Sequence, residues 1–291
     1  MLELDHVTLV HNPGTITEVT ALRDLSLRVP RGQMVTIVGT NGAGKSSLVR
    51  SVAGEERPSR GRVLFDGDDV TRTPDHRRAG RVARVFDDPH AGTLPELSIE
   101  DNLALALARG RRRRLRFALT AARRAEMRER LAVLGLGLED RLGDPVSLLS
   151  AGQRQSLTLV MAGLRDPEVL LLDEHLAALD PGTQRTVLGL TVDLVERVGC
   201  TAIMVTHNME HALELGDRLL VMSRGRIITD VSGAEKRAMT VPALIDRITG
   251  AGDVVSDRSV LGDGPARPVR VPAGVAGGPP PAADGPREAA A

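Results

Sequence analysis

The chain has 291 residues, and its 38 Lys and Arg balance 38 Asp and Glu, so it carries no net charge and is not expected to bind nucleic acid as a general polyanion. With 42% hydrophobic and 26% charged residues it reads as an ordinary globular chain of one or two domains, and a lone cysteine, Cys200, excludes a disulfide framework and fits a reducing compartment. The opening MLELDHVTLV lacks the layout of a signal peptide, and no apolar run approaches the roughly 20 residues of a membrane span.

In chain order, the first ten residues alternate apolar and polar and predict a strand, as does a piece near Leu25 to Val29. MVTIVG (Met34 to Gly39) predicts a buried strand. A helix should follow from Lys45, with Leu48, Val49 and Val52 inward and Gly54 at its end. RVLFDG (Arg62 to Gly67) is another strand. Ser98 can cap a helix, Asp101 completing a variant capping box, with Ile99, Leu103, Ala106 and Leu107 on one face. A further helix is expected from about Ala121 to Leu134. Ser150 can cap another, with Leu157, Met161 and Leu164 on one face. VLLLDE (Val169 to Glu174) and TAIMVTH (Thr201 to His207) are strands, separated by a helix from Thr183 to Val198. This alternation predicts an α/β domain over 1–248 with a parallel-sheet core, and the helix-only stretch at about 90–160 predicts an inserted helical subdomain. From 249 to 291, Gly, Pro and Ala dominate, which predicts a disordered tail.

GTNGAGKSS (Gly39 to Ser47) fits the P-loop pattern, with Gly39, Gly44, Lys45 and Ser46 at its fixed positions. Glycines let backbone N–H groups approach phosphate oxygens, and the following helix adds its positive end. Only two of the chain's basic residues are lysines, Lys45 and Lys236. A compact ammonium fits between β- and γ-phosphates where a planar guanidinium does not, which accounts for a lysine at position 45 in an arginine-rich chain. The bland alternative is a chance glycine-rich turn, which a strand before and a helix after disfavour. Asp173 ends a buried strand, where a carboxylate can hold Mg²⁺, and Glu174 can orient or deprotonate a water; a strand that simply ends in two acids is the competing reading.

With these motifs, LLSAGQRQSL (Leu148 to Leu157) and the DEHLAALD that follows make the chain resemble the ATP-binding subunit of ABC transporters over about residues 1 to 235. HNPGT, VFDDPHAGT and MVTHNMEHAL look like the ATPases of bacterial uptake systems that work with a separate permease and a substrate-binding lipoprotein, some of them associated with aromatic amino acids. The resemblance implies a P-loop NTPase of ABC type with an antiparallel β subdomain. It implies ATP and Mg²⁺ as ligands, and a head-to-tail homodimer attached to the cytoplasmic side of the membrane through the permease. Gly39, Thr40, Asn41, Gly42, Ala43, Gly44, Lys45, Ser46 and Ser47 would bind phosphates. Ser46 would hold Mg²⁺, with Asp173 assisting through water. Glu174 would be the catalytic base and His207 the γ-phosphate switch. Ser150, Ala151, Gly152 and Gln153 would reach the opposite subunit's nucleotide, and Asp180 would lie at the dimer interface.

Three positions depart from the family pattern. Ala151 replaces the first glycine of the signature, tolerable unless that position needs a positive φ. Asp87 stands where a glutamine is usual; it can ligate Mg²⁺ but cannot donate, on a loop that usually senses the permease. His11 stands where an aromatic stacks on adenine, and imidazole can stack, although a loop histidine without a role fits equally well. The run ARGRRRRLRF, which contains Arg111 to Arg114, is a solvated loop or a contact to anionic lipid or permease, with nucleic-acid contact third because aromatic stacking partners are nearly absent. His76, His90 and His211 lack metal-ligand spacing, and His175 is not expected to be catalytic. The competing function classes are a non-transport ABC protein and a regulatory subunit with weakened ATPase activity.

Overall fold

The computed structural model describes residues 1–110 and 119–250, so Arg111 to Arg114 and the tail from 251 lie outside the described residues. β1 (Leu2–His11) and β2 (Val19–Val29) form an antiparallel hairpin whose alternating burial matches the sequence pattern. β3 (Met34–Gly39) is buried throughout and leads into α1 (Lys45–Ala53). β4 (Arg60–Phe65) and β5 (Asp68–Asp69) complete a four-stranded antiparallel sheet in the order β2-β1-β4-β5. After the single turn of α2 (Asp75–Arg78) comes β6 (Val82–Val85), then α3 (Ile99–Ala108) and α4 (Ala121–Ala132). Two short 3₁₀ turns precede α5 (Ala151–Gly163). β7 (Val169–Asp173), α6 (Pro181–Val198), β8 (Thr201–Val205), α7 (Met209–Glu214), β9 (Arg218–Ser223), β10 (Arg226–Ser232), α8 (Gly233–Ala238) and α9 (Val241–Gly250) follow.

The second sheet runs β10-β9-β3-β8-β7-β6. Its neighbours are parallel except β10, which pairs antiparallel with β9 at the edge. β3, β7 and β8 are buried at every residue, as strands covered on both faces must be. One face packs through Val35, Ile37 and Leu171 on Val49 of α1 and on the antiparallel sheet. The other face packs through Leu170 and Leu172 on Val187 and Leu194 of α6. α3, α4 and α5 bury their own cluster, including Leu103, Leu131 and Leu157. Ser98 and Ser150 cap α3 and α5 as their sequence positions predict, Ser150 and Gln153 forming a reciprocal capping box.

Arg78 has no counterpart in the sequence reading. Its guanidinium is 1% exposed and donates to the carbonyls of Ser51, Val52, Val70 and Thr73. It thereby satisfies orphan carbonyls at the end of α1. Burial pushes its pKa down to about 10.

Candidate functional site

The parallel topology brings distant motifs together, because the loops after β3, β6, β7 and β8 all leave the carboxyl edge of one sheet, where ligands of open α/β sheets bind. The β3 exit turns at once into α1. Gly44 sits there at φ +100°, and a Cβ would lie 2.5 Å from the Ala21 carbonyl oxygen, so only glycine fits. Lys45 is the first residue of α1 and is 5% exposed, its Nζ donating to the carbonyls of Gly39 at 2.7 Å and Thr40 at 3.1 Å. Burial pushes its pKa down, and Glu174 and Asp173 pull it back up. A cleft of about 450 Å³ opens over this loop, lined by His11, Asn41 to Ser47, Glu174 and His207.

Two side chains face each other across the cleft from different strand ends. Glu174 follows β7 with φ +50°, a strained conformation for a residue with a side chain. Its backbone N–H donates to the Val205 carbonyl at 3.0 Å, which ties the turn to β8. His207 follows β8, and its Nε2 lies 2.6 Å from Glu174 Oε1. Asn208 caps α7 directly after it. Both residues also line a second cavity of about 390 Å³, with Asn41, Gln184 and His211.

His175, set aside in the sequence, is buried beneath that turn and bonds Thr191 Oγ1 through Nε2 at 3.0 Å. The Thr191 hydroxyl donates to the Val187 carbonyl, so the imidazole must carry its proton on Nε2. Burial, with His211 adding repulsion, pushes its pKa down to about 3.

His11 lines the cleft, its Nε2 3.3 Å from Ser47 Oγ. Asp87 is exposed and lines neither cavity. Ser150 to Gln153 likewise line neither cavity and occupy the start of α5. Ala151 is exposed in the first turn of α5 and is not among the residues with positive φ, so its methyl group meets no backbone strain. Gly152 is the constrained glycine: a Cβ there would stand 2.3 Å from Thr183 Cγ2 on α6. Asp180 caps α6, accepting from the N–H groups of Gly182 and Thr183, and the Thr183 bond lowers its pKa.

The donor set suits a nucleotide phosphate: a buried ammonium, a left-handed glycine at a helix start, and hydroxyls on Ser46 and Ser47. Ser46 lines the cleft and offers Mg²⁺ a hydroxyl oxygen, whereas the Asp173 carboxylate, an oxygen donor of the kind Mg²⁺ takes, ends β7 and lines neither cavity. Two relationships escaped the sequence reading. Arg84 on β6 bonds Asp173 at 2.7 Å, and Arg154 on α5 contacts His90. Nothing in their spacing announces either contact.

The sequence profile of the ABC transporter family matches residues 22–177. The chain belongs to the ABC transporter family. It is an ABC-type ATPase, the ATP-binding subunit that couples hydrolysis to transport. It is 40% identical over 235 residues to a tyrosine transport ATP-binding protein of Clostridioides difficile (strain R20291), covering 81% of this chain and 91% of that relative. It is 35% identical over 240 residues to the methionine import ATP-binding protein MetN 1 of Yersinia pestis bv. Antiqua (strain Antiqua), covering 81% of this chain and 66% of that protein. Among solved structures, a dimeric post-hydrolysis state of the ATP-binding cassette MJ0796 bound to ADP and Pi superimposes with a TM-score of 0.67 at 26% identity, over 80% of this chain and 98% of that one. Among the described residues of this ABC ATPase, no helix is long and apolar enough to cross a membrane.

Proposed function

We propose that this subunit hydrolyses Mg-ATP in the cleft over Gly39 to Ser47 and thereby energises import of a small solute, of the amino-acid class, through a separate permease. The observation that carries the reading is the Glu174–His207 pair, 2.6 Å apart on the wall of the cleft that also holds the Lys45 loop. Lys45 and the backbone N–H groups of 40–47 bind the phosphates. Ser46 and Asp173 would hold Mg²⁺, which would supply neutralisation of phosphate charge. Glu174 takes the proton of the attacking water. His207 Nε2, free to donate once Glu174 turns to that water, contacts the γ-phosphate. His11 flanks the adenine.

The solute class rests on the tyrosine and methionine transport named for two relatives. A homodimer in which Ser150 to Gln153 cover the partner's nucleotide accounts for a signature that lines neither cavity of its own chain. The dimeric MJ0796 cassette supports the same reading. Asp180 then lies at the interface. The groove of about 290 Å³ lined by Ala53, His76, Arg84, Phe86 and Gly92 is the surface we assign to the permease, beside the exposed Leu94 and Leu97. A substrate-binding protein engages the permease from the other side of the membrane, and this subunit stays peripheral on the cytoplasmic side.

Mg-ATP hydrolysis by the purified chain, beside Lys45→Ala and Glu174→Gln, tests the reading. Turnover by the wild type and background rates in both variants are expected. A wild type silent alone and with its co-expressed permease would overturn it in favour of a nucleotide-binding regulatory subunit.

A further inference from the structure

Arg84 lines the groove and reaches Asp173 at the end of β7. Its Nη1 donates to both carboxylate oxygens of Glu55 at 2.7 Å, and its Nη2 donates to Asp173 Oδ2, also at 2.7 Å. The guanidinium carbon lies 4.6 Å from the centre of the Phe86 ring, and the side chain is 13% exposed. One cation is thus divided between two carboxylates. Asp173 receives only part of its charge, and Glu55 competes for the rest. On the groove side, Arg84, Glu55 and Phe86 form one continuous lining with Ala91 and Gly92.

A carboxylate bonded to a guanidinium is oriented and partly neutralised, and attracts a second cation less strongly than a free one. The position of Arg84 therefore fixes how much of the Asp173 charge is left for a second cation. We propose that Arg84 is a positioning residue that sets the hold of Asp173 on Mg²⁺, with Glu55 as the balancing acid. The inference rests on the reading of Asp173 as a Mg²⁺-holding residue.

The cation and its balancing acid give variants of opposite sign. In Arg84→Met, Asp173 is freed and Mg²⁺ is held more tightly. In Glu55→Gln, the guanidinium turns wholly to Asp173 and Mg²⁺ is held less tightly. The chain has no Trp and no Tyr, so the probe is fluorescently labelled ADP bound to the full-length protein. The readout is the ratio of ADP affinity in Mg²⁺ to that in EDTA, which by linkage reports the added hold on the metal without any turnover. We expect Arg84→Met to raise that ratio about fivefold and Glu55→Gln to lower it about threefold. A merely structural role would move both ratios the same way. If both fall together, or neither moves while Asp173→Asn lowers the ratio, the inference about Arg84 is wrong. If Arg84→Met does not fold, the half-exposed Glu55→Gln decides alone, an unchanged or raised ratio being the overturning result. If Asp173→Asn leaves the ratio unchanged, the reading of Asp173 itself fails.

Discussion

His207 Nε2 lies 2.6 Å from Glu174 Oε1, and the two residues follow the ends of adjacent parallel strands joined through α6. Neither side chain is buried beyond reach of solvent, and both face the P-loop cleft. The strained φ of Glu174 holds the carboxylate at the mouth of the cleft instead of along the strand. Glu174→Gln should therefore lower turnover by about 100-fold or more while leaving ATP affinity within a few-fold, as loss of a general base does. Lys45→Ala should instead abolish binding of labelled ATP. Steady-state hydrolysis and nucleotide titration of both variants separate the two roles.

The signature departure is predicted to be harmless. Ala151→Gly should leave ATPase activity within about threefold and cost under about 1 kcal/mol, since Ala151 is exposed, helical and at a negative φ. Gly152→Ala should cost about 1–3 kcal/mol, because its methyl group would meet Thr183 2.3 Å away. Urea unfolding of the pair checks the contrast.

Arg78→Met should destabilise the chain by about 2–4 kcal/mol. The carbonyls of Ser51, Val52, Val70 and Thr73 lose the guanidinium donor. Arg78→Lys should recover only part, because an ammonium cannot span the carbonyls at both α1 and 70–73. Thermal unfolding of both variants measures this.

His175 should contribute an acid-sensitive stability term. Its folded pKa of about 3 lies below the ordinary 6.5. Between these values the unfolded chain binds a proton that the folded chain does not. Stability is then lost as pH falls from 6.5 toward 3, by about 2 kcal/mol at pH 5. His175→Leu should flatten that slope, seen by comparing urea midpoints at pH 7 and pH 5.

Much of the molecule was legible before the fold was known. The strand at Met34, the helix from Lys45, the Ser98 and Ser150 caps and the Val169 and Thr201 strands rest on local periodicity and side-chain-to-backbone bonds a few residues apart. The β9–β10 hairpin was missed, although LLVMSRGRIIT holds two apolar runs around Arg224 and Gly225, and Val82–Val85 was too short to stand out. Lysine usage was also informative. Lys45 and Lys236, the only two lysines, are both buried with the ammonium on a pair of backbone carbonyls, those of Gly39 and Thr40 and those of Leu215 and Gly216.

The sequence by itself made the glycine-rich loop, the acids at the end of β7 and the LLSAGQRQSL run legible, because each is a run of neighbours recognisable without its distant partners. Only the tertiary structure decided that Glu174 meets His207, that Arg84 is shared by Glu55 and Asp173, that Arg78 closes the end of α1 and that Ala151 carries no strain. These are contacts between residues that sheet order and helix packing bring together, and both are set by burial of whole faces, which no short stretch of sequence encodes.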